Sequence, residues 1–411
     1  MLDFIDLGFP YYGASVINTY MLGEIHMSRS TLGLGSTFIH LAVGLAAPLA
    51  GLLTARFGVR QTVVLGSAII CASALFLAVL GHRPWHYLIS FGIANGIGIS
   101  LAAVVPTATL ATRWFHRYRG RAMGIALSGA GISGFVVSWF FDRILHASGG
   151  NWRAGWWIVA ASAVISGIIA ALWIRETPES MGQTVDGIIE ENPAERAEIA
   201  TPQDRWTVSQ AYRTSAFWLI AIAGIAHTYP YFFFVAHSIL YISGTGISSE
   251  KAAVAMGIFT IATLIGRWVG GILMDFVSAR VTYVLGLSLF IAGSYFYALI
   301  NRPDAIIPAY VAAALCGCSY GWVFTCVTTM LGNFYGRKAF PKLYGTLTLF
   351  ISTCASPAGY VGGKIFDVYG SYKLAILLNV ILSAIAIVAI LFTIMPTPPG
   401  GKDPALQSCE G

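Results

Sequence analysis

Charge is what this chain lacks most. Only 10% of its 411 residues are Asp, Glu, Lys or Arg, where a soluble domain carries about 25%. That scarcity, with a mean hydropathy of +0.72, excludes an ordinary water-exposed surface. Cysteine is sparse too. The six cysteines form no Cys-x-x-Cys pair, and Cys71, Cys316, Cys318, Cys326 and Cys354 lie in apolar runs. Cysteine behaves there as a small hydrophobe, so neither a disulfide framework nor a zinc site is expected. The phosphate-binding pattern G-x-x-x-x-G-K-[ST] does not occur, which argues against an ATP-driven pump. No nucleophile–base set or metal cluster stands in a loop, so no enzyme activity and no cofactor are expected. Acids are missing from the middles of the apolar runs: Glu24, Asp142, Asp275 and Asp367 all sit at run ends.

What the chain has instead is length of apolar sequence. Twelve runs of about 20 residues fall near 5–25, 32–54, 61–81, 85–112, 121–141, 154–174, 216–243, 252–275, 280–300, 305–333, 342–364 and 373–395. A helix satisfies its own backbone polar groups, so each run predicts a membrane-spanning helix. Residues 1–25 lack the basic start and cleavage site of a signal peptide and read as the first span. Residues 176–213 are too polar for lipid and read as a linker. The expected fold is an all-α membrane protein of twelve transmembrane helices in two pseudo-symmetric six-helix halves. The halves are 1–175 and 214–395, with the linker 176–213 between them and a tail 396–411.

The net charge of +6 is sorted by loop. With both termini on the cytoplasmic side, fifteen cations face the cytoplasm and eight the other side, the bias expected for that orientation. The partner of these cations is therefore the lipid bilayer and not nucleic acid. The cell (inner) membrane and a monomeric state are the working expectations.

The two halves echo each other. Thr112–Phe135 and Gly332–Tyr360 both read as an aromatic residue, a basic cluster, then a Gly/Ser-rich helix. The loop at Gly51–Arg60 is matched at Gly271–Arg280. Such repeats mark transporters with a substrate site near the midplane between the halves.

Arg267 stands in the middle of the eighth run. A guanidinium stays charged at any ordinary pH, and at a bilayer centre it costs roughly 3 kcal/mol on insertion scales. It must face protein, water or an anion. Thr260, Thr263, Arg267 and Gly271 share one face of that helix,, opposite Ile261, Leu264, Ile265 and Val269. The planar guanidinium can donate two parallel N–H bonds to a carboxylate. With no acid in mid-span to pair with it, a substrate anion is the expected partner.

The segment Gly51-x-x-x-Ala55-Arg56-x-Gly58-x-Arg60 resembles the loop 2–3 motif of the major facilitator superfamily. Ala55 replaces the acid that the motif expects, and Val59 replaces a basic residue. The copy after the eighth run keeps Asp275 but lacks the Arg and Gly that follow it. Within that superfamily, Trp114–Gly134 and Met27–Phe38 are similar to the monocarboxylate transporters and the bacterial oxalate/formate antiporter group. The resemblance spans the chain. It implies the major facilitator fold, alternating access, and a carboxylate-binding role for Arg267. Dicarboxylate members often carry a second cation in helix 11, where Leu347–Tyr360 has none. The reading is therefore a secondary transporter of small monocarboxylates such as lactate or pyruvate, with the proton as co-substrate. Alternatives are an organic-anion exchanger or a carrier of drugs, sugars or nitrate.

Further candidates for the cavity are Asn18 in the first run, Tyr229 and His227 beside Pro230, and Tyr320 and Trp322 in the tenth. Thr263 occupies the position where many relatives place an aspartate one turn before the arginine. The proton would then need another carrier, and His40 and His227 titrate in the useful range.

Overall fold

The computed structural model describes residues 1–25, 27, 29–187 and 202–399. Linker residues 188–201 and tail residues 400–411 lie outside the described residues. Among those described there is no strand.

Among the described residues, ten helices are long and apolar enough to cross a membrane. One of them, Ile306–Tyr369, is double length. It turns back at Gly336, whose φ of 69° lies in the left-handed region that glycine adopts without steric cost. A further helix precedes Ile25. Twelve spans result among the described residues.

The first, α1, comprises Asp3–Gly13, wound as a wide π-helix around Pro10, and Ala14–Glu24. Then follow α2 (Arg29–Phe57), α3 (Val59–Leu80), α4 (Pro84–Trp114), α5 (Arg119–Ala147) and α6 (Trp152–Trp173). After the linker come α7 (Ser215–Gly244), α8 (Ser249–Met274) and α9 (Ala279–Ala298). The double-length helix supplies α10 (306–335) and α11 (337–369), and α12 is Lys373–Leu391. The helices form two six-helix halves, as the run pattern predicts.

Local chemistry sets the helix starts. The side chains of Asn151, Thr214, Ser248 and Ser278 accept from backbone N–H groups three residues on, which satisfies donors the helix leaves unpaired. Outward faces are apolar, with Ile125, Trp173, Leu240 and Ile385 exposed, as lipid contact requires.

One expectation is corrected here. The first span begins at Asp3, not at residue 5, and it carries two buried acids, Asp3 and Asp6. A hydropathy window treats these residues as a polar lead-in. The π-wound turn, with α4, α5 and α6 around it, encloses them instead.

Candidate functional site

Between the halves lies a cavity of about 180 Å³. Liquid water occupies about 30 Å³ per molecule, so the space suits a small molecule. Its polar groups include Asp3 and Tyr12 from α1, His40 from α2, His227 and Tyr231 from α7, Arg267 from α8, Tyr320 from α10 and Tyr344 from α11. Leu7, Val43, Phe232, Phe324 and Ile351 provide apolar wall.

The crossing of α8 and α10 places Arg267 here. Gly266 and Gly270 on α8 face the Cys318 and Trp322 backbones, and Gly317 and Gly321 on α10 face the Phe259 and Thr263 carbonyls. A Cβ at any of the four would overlap its neighbour. Small residues let membrane helices approach this closely.

Arg267 is 7% exposed. Its Nη1 donates to the Leu127 carbonyl of α5, and the guanidinium lies 5.5 Å from the Phe324 ring centroid, within cation–π range. Its Nε has no partner. No carboxylate among the described residues makes an ion pair with it. Tyr12, Tyr231, Tyr320 and Tyr344 line the same cavity.

Asp3 also faces this charge from across the cavity. It is 4% exposed, and its Oδ1 has no hydrogen-bond partner. Asp6, one turn on, is held differently: the hydroxyls of Ser67 and Ser166 donate to it at 3.2 and 2.5 Å. The first span therefore does hold buried acids, contrary to the expectation from the sequence, although Arg267 makes no ion pair among the described residues.

The predicted residues separate into two groups. Arg267, Tyr320, His40 and His227 line the cavity. The Tyr320 ring stacks on Tyr231 at 3.6 Å between centroids and on His227 at 5.2 Å. His227 Nε2 is 3.2 Å from the Tyr320 carbonyl. His40 places Nδ1 2.7 Å from the Ser36 carbonyl and Nε2 3.2 Å from the Tyr11 hydroxyl.

Asn18, Trp322, Thr263 and Tyr229 stand outside it. Asn18 donates to the Tyr87 hydroxyl at 3.1 Å, joining α1 to α4. Trp322 Nε1 donates to the Thr282 carbonyl at 2.9 Å. The Thr263 hydroxyl turns back to the Phe259 carbonyl at 2.9 Å, an ordinary helix-internal bond. Tyr229 packs against an apolar cluster of the second half. The polar stripe of α8 is thus largely a packing seam, and Gly271 on it meets Gly120 and Gly124 of α5.

Sequence reasoning missed Asp3, Tyr11, Tyr12, Tyr231 and Tyr344. The first three are brought together by the π winding of α1, which a regular α-helical reading of the sequence does not anticipate. In a π-helix the bond runs to i+5, so Asp3, Leu7, Tyr11 and Tyr12 share a face, and all four line the cavity.

At the end of the bundle nearest the linker, acids seat on helix N-termini, where the dipole favours negative charge. Asp275 accepts from Gly120 N and Arg121 N of α5 at 2.9 and 3.2 Å and pairs with Arg121 at 3.1 Å. Arg119 Nη1 donates to Asn333 of α10 at 2.8 Å. The acid missing at Ala55 is replaced from elsewhere. Glu176 accepts from Val59 N and Arg60 N, both at 2.9 Å, and pairs with Arg113. Linker residue Asp204 accepts from Arg337 N of α11 at 2.6 Å.

A twelve-helix bundle with a cavity between its two halves, lined by a guanidinium that makes no ion pair among the described residues, is the architecture of a membrane transporter,. The Major Facilitator Superfamily model matches residues 5–359 and 238–408, and the chain belongs to that superfamily. Among curated proteins it is 22% identical to the uncharacterized MFS-type transporter YhjX of Escherichia coli, over 82% of this chain and 80% of that one. It is 24% identical to monocarboxylate transporter 13 of Bos taurus (79% and 71% covered) and 22% identical to monocarboxylate transporter 2 of Meriones unguiculatus (90% and 78%). Among solved structures it is similar to the E. coli fucose:proton symporter FucP, with a TM-score of 0.72, 13% identity, and 96% and 98% covered. The proton:xylose symporter XylE gives 0.76, 14% identity, and 96% and 94% covered. At these identities the two structures establish the fold alone.

Proposed function

We propose that this protein is a secondary transporter of small monocarboxylates such as lactate or pyruvate, moved with a proton by alternating access. The observation that carries the reading is Arg267. It is buried, it faces a small and mostly apolar cavity, its Nε is unpaired, and no carboxylate is within ion-pair distance of it among the described residues. One cation at an aromatic wall suits an anion with one charge and a small apolar body. The monocarboxylate transporters among the relatives support the same class. In this reading residues 1–175 and 214–395 rock about the cavity while 176–213 joins them on the cytoplasmic side of the cell membrane. The protein works as a monomer with both termini cytoplasmic.

Uptake of labelled lactate into vesicles tests it. A hydrogen bond to a charged group is worth about 1.5–3 kcal/mol, so Arg267→Ala loses saturable uptake by at least about tenfold. Arg267→Lys keeps the charge without the planar fork and falls between. Wild-type uptake by Arg267→Ala would refute the anion role. A thermal-shift screen adds a second arm: stabilisation by organic cations alone would make Asp3, not Arg267, the ligand-binding charge.

A further inference from the structure

Asp3 and Asp6 are both buried acids of α1, and their surroundings differ. Asp6 lies between α1, α3 and α6 with serine hydroxyls donating to it, and it does not line the cavity. Asp3 is as deeply buried, yet it lines the cavity with one carboxylate oxygen unpartnered. A buried carboxylate of this kind needs an opposite charge to compensate it, and without one it takes up a proton instead.

The groups facing it can be named element by element. On α1 they are the amino group of Met1, Asp6 and Tyr12; on α4, the hydroxyl of Thr107; on α8, Arg267; and on α11, Tyr344. From α5, Gly129 packs its backbone against the Asp3 side chain and brings no charge. Arg267 is the only side-chain cation in this set. Of the side chains that line the cavity, Asp3 is the one carboxylate and Arg267 the one guanidinium or ammonium group. A monocarboxylate that binds Arg267 takes that compensation for itself. The site then holds two anions against one cation, in a space with few polar walls. Adding one proton restores neutrality.

The two cavity histidines are poorer receivers by geometry. A neutral imidazole offers one donor and one acceptor. His40 uses both, with Nδ1 at the Ser36 carbonyl and Nε2 at the Tyr11 hydroxyl. His227 bonds the Tyr320 carbonyl through Nε2, and Nδ1 is enclosed without any acceptor to receive a new N–H. Charging either ring also adds a second cation beside Arg267. Protonating Asp3 removes a charge instead.

We infer that Asp3 is the proton-carrying group of the transport cycle: its carboxylate takes up one proton as the substrate carboxylate occupies Arg267, and gives it back when the substrate leaves. This assignment rests on the monocarboxylate reading above. It makes Asp3 the coupling residue and leaves His40 and His227 as packing and hydrogen-bonding groups. The balance is simple: carboxylate plus proton gives carboxylic acid, and one proton crosses with each monocarboxylate.

The test uses purified full-length protein in lipid vesicles, with lactate as the probe and two assays. Exchange of labelled for unlabelled lactate needs no net proton movement, whereas accumulation driven by a pH gradient does. Wild-type protein is expected to accumulate lactate about tenfold per pH unit, the limit for one proton per carboxylate. Asp3→Asn, neutral in every state, is expected to keep exchange within about threefold and lose accumulation. Asp3→Glu retains accumulation, and neither His40→Gln nor His227→Gln separates exchange from accumulation.

Accumulation by Asp3→Asn, or its loss in a histidine variant alone, would overturn the assignment and leave the substrate reading standing. Exchange without accumulation in the wild type would do the same. If the wild type moves no monocarboxylate at all, the substrate reading fails and this assignment with it. Should Asp3→Asn not fold, infrared difference spectra of the wild type on lactate addition decide. A protonated-carboxyl band that shifts in Asp3→Glu supports the inference, and absence of any such band overturns it.

Discussion

Asp275 offers the sharpest handle on the closure of the linker end. Its side chain is 5% exposed and bonds two backbone N–H groups at the start of α5 while pairing with Arg121. Asp275 belongs to the second half and α5 to the first, so these bonds hold the halves together in the present arrangement. Asp275→Asn keeps an acceptor and the size of the side chain but removes the charge. The ion pair contributes about 0.2–1 kcal/mol, because Arg121 is more than a third exposed,. The helix dipole contributes about 0.3–1 kcal/mol, and the charge assistance to the two N–H bonds about 1 kcal/mol. The sum, about 2 kcal/mol, corresponds to roughly 30-fold in the equilibrium between closed and open linker ends. Met274 packs into the same seam against Gly120 and is 8% exposed. A cysteine placed there, with the native cysteines replaced, reports opening by its rate of thiol labelling. The expected rate rises about 30-fold in Asp275→Asn. A rate within twofold of the parent would refute the idea that this contact closes the seam.

Two further outcomes follow from the packing and the linker. Gly321→Val puts a branched side chain where α10 meets the Thr263 carbonyl; overpacking costs typically 1–3 kcal/mol, so the variant should unfold several degrees lower and lose lactate uptake, while the solvent-side change Ser180→Ala should do neither. Asp204→Asn removes the acid at the start of α11 and should raise labelling of a cysteine at Lys342 by about tenfold, reflecting about 1–1.5 kcal/mol; an unchanged rate would show that the linker does not take part in closure.

The fold was legible in the sequence because hydropathy runs report the one thing a bilayer demands, namely a span with its backbone satisfied internally. Arg267 was legible for the same reason: a cation in an apolar run has few places to be. Its companions were less so. Asn18, Thr263, Trp322 and Tyr229 carry groups that suit a carboxylate, yet Thr263 turns its hydrogen bond back into its own helix and the other three spend their hydrogen bond or their ring on packing partners outside the cavity. Residue type tells what a side chain can donate, and not which neighbour is near enough to accept.

By itself the amino-acid order determined twelve spans, a polar linker and one guanidinium in a place where only an anion or a polar cavity makes it tolerable. Tertiary structure alone decided that Asp3 belongs to that cavity and Asp6 does not, and that Asp275, Glu176 and Asp204 do at three helix starts what Ala55 cannot. The reason is physical. Burial is fixed by which helices surround a residue, so a short acidic lead-in reads as surface until α4, α5 and α6 close around it.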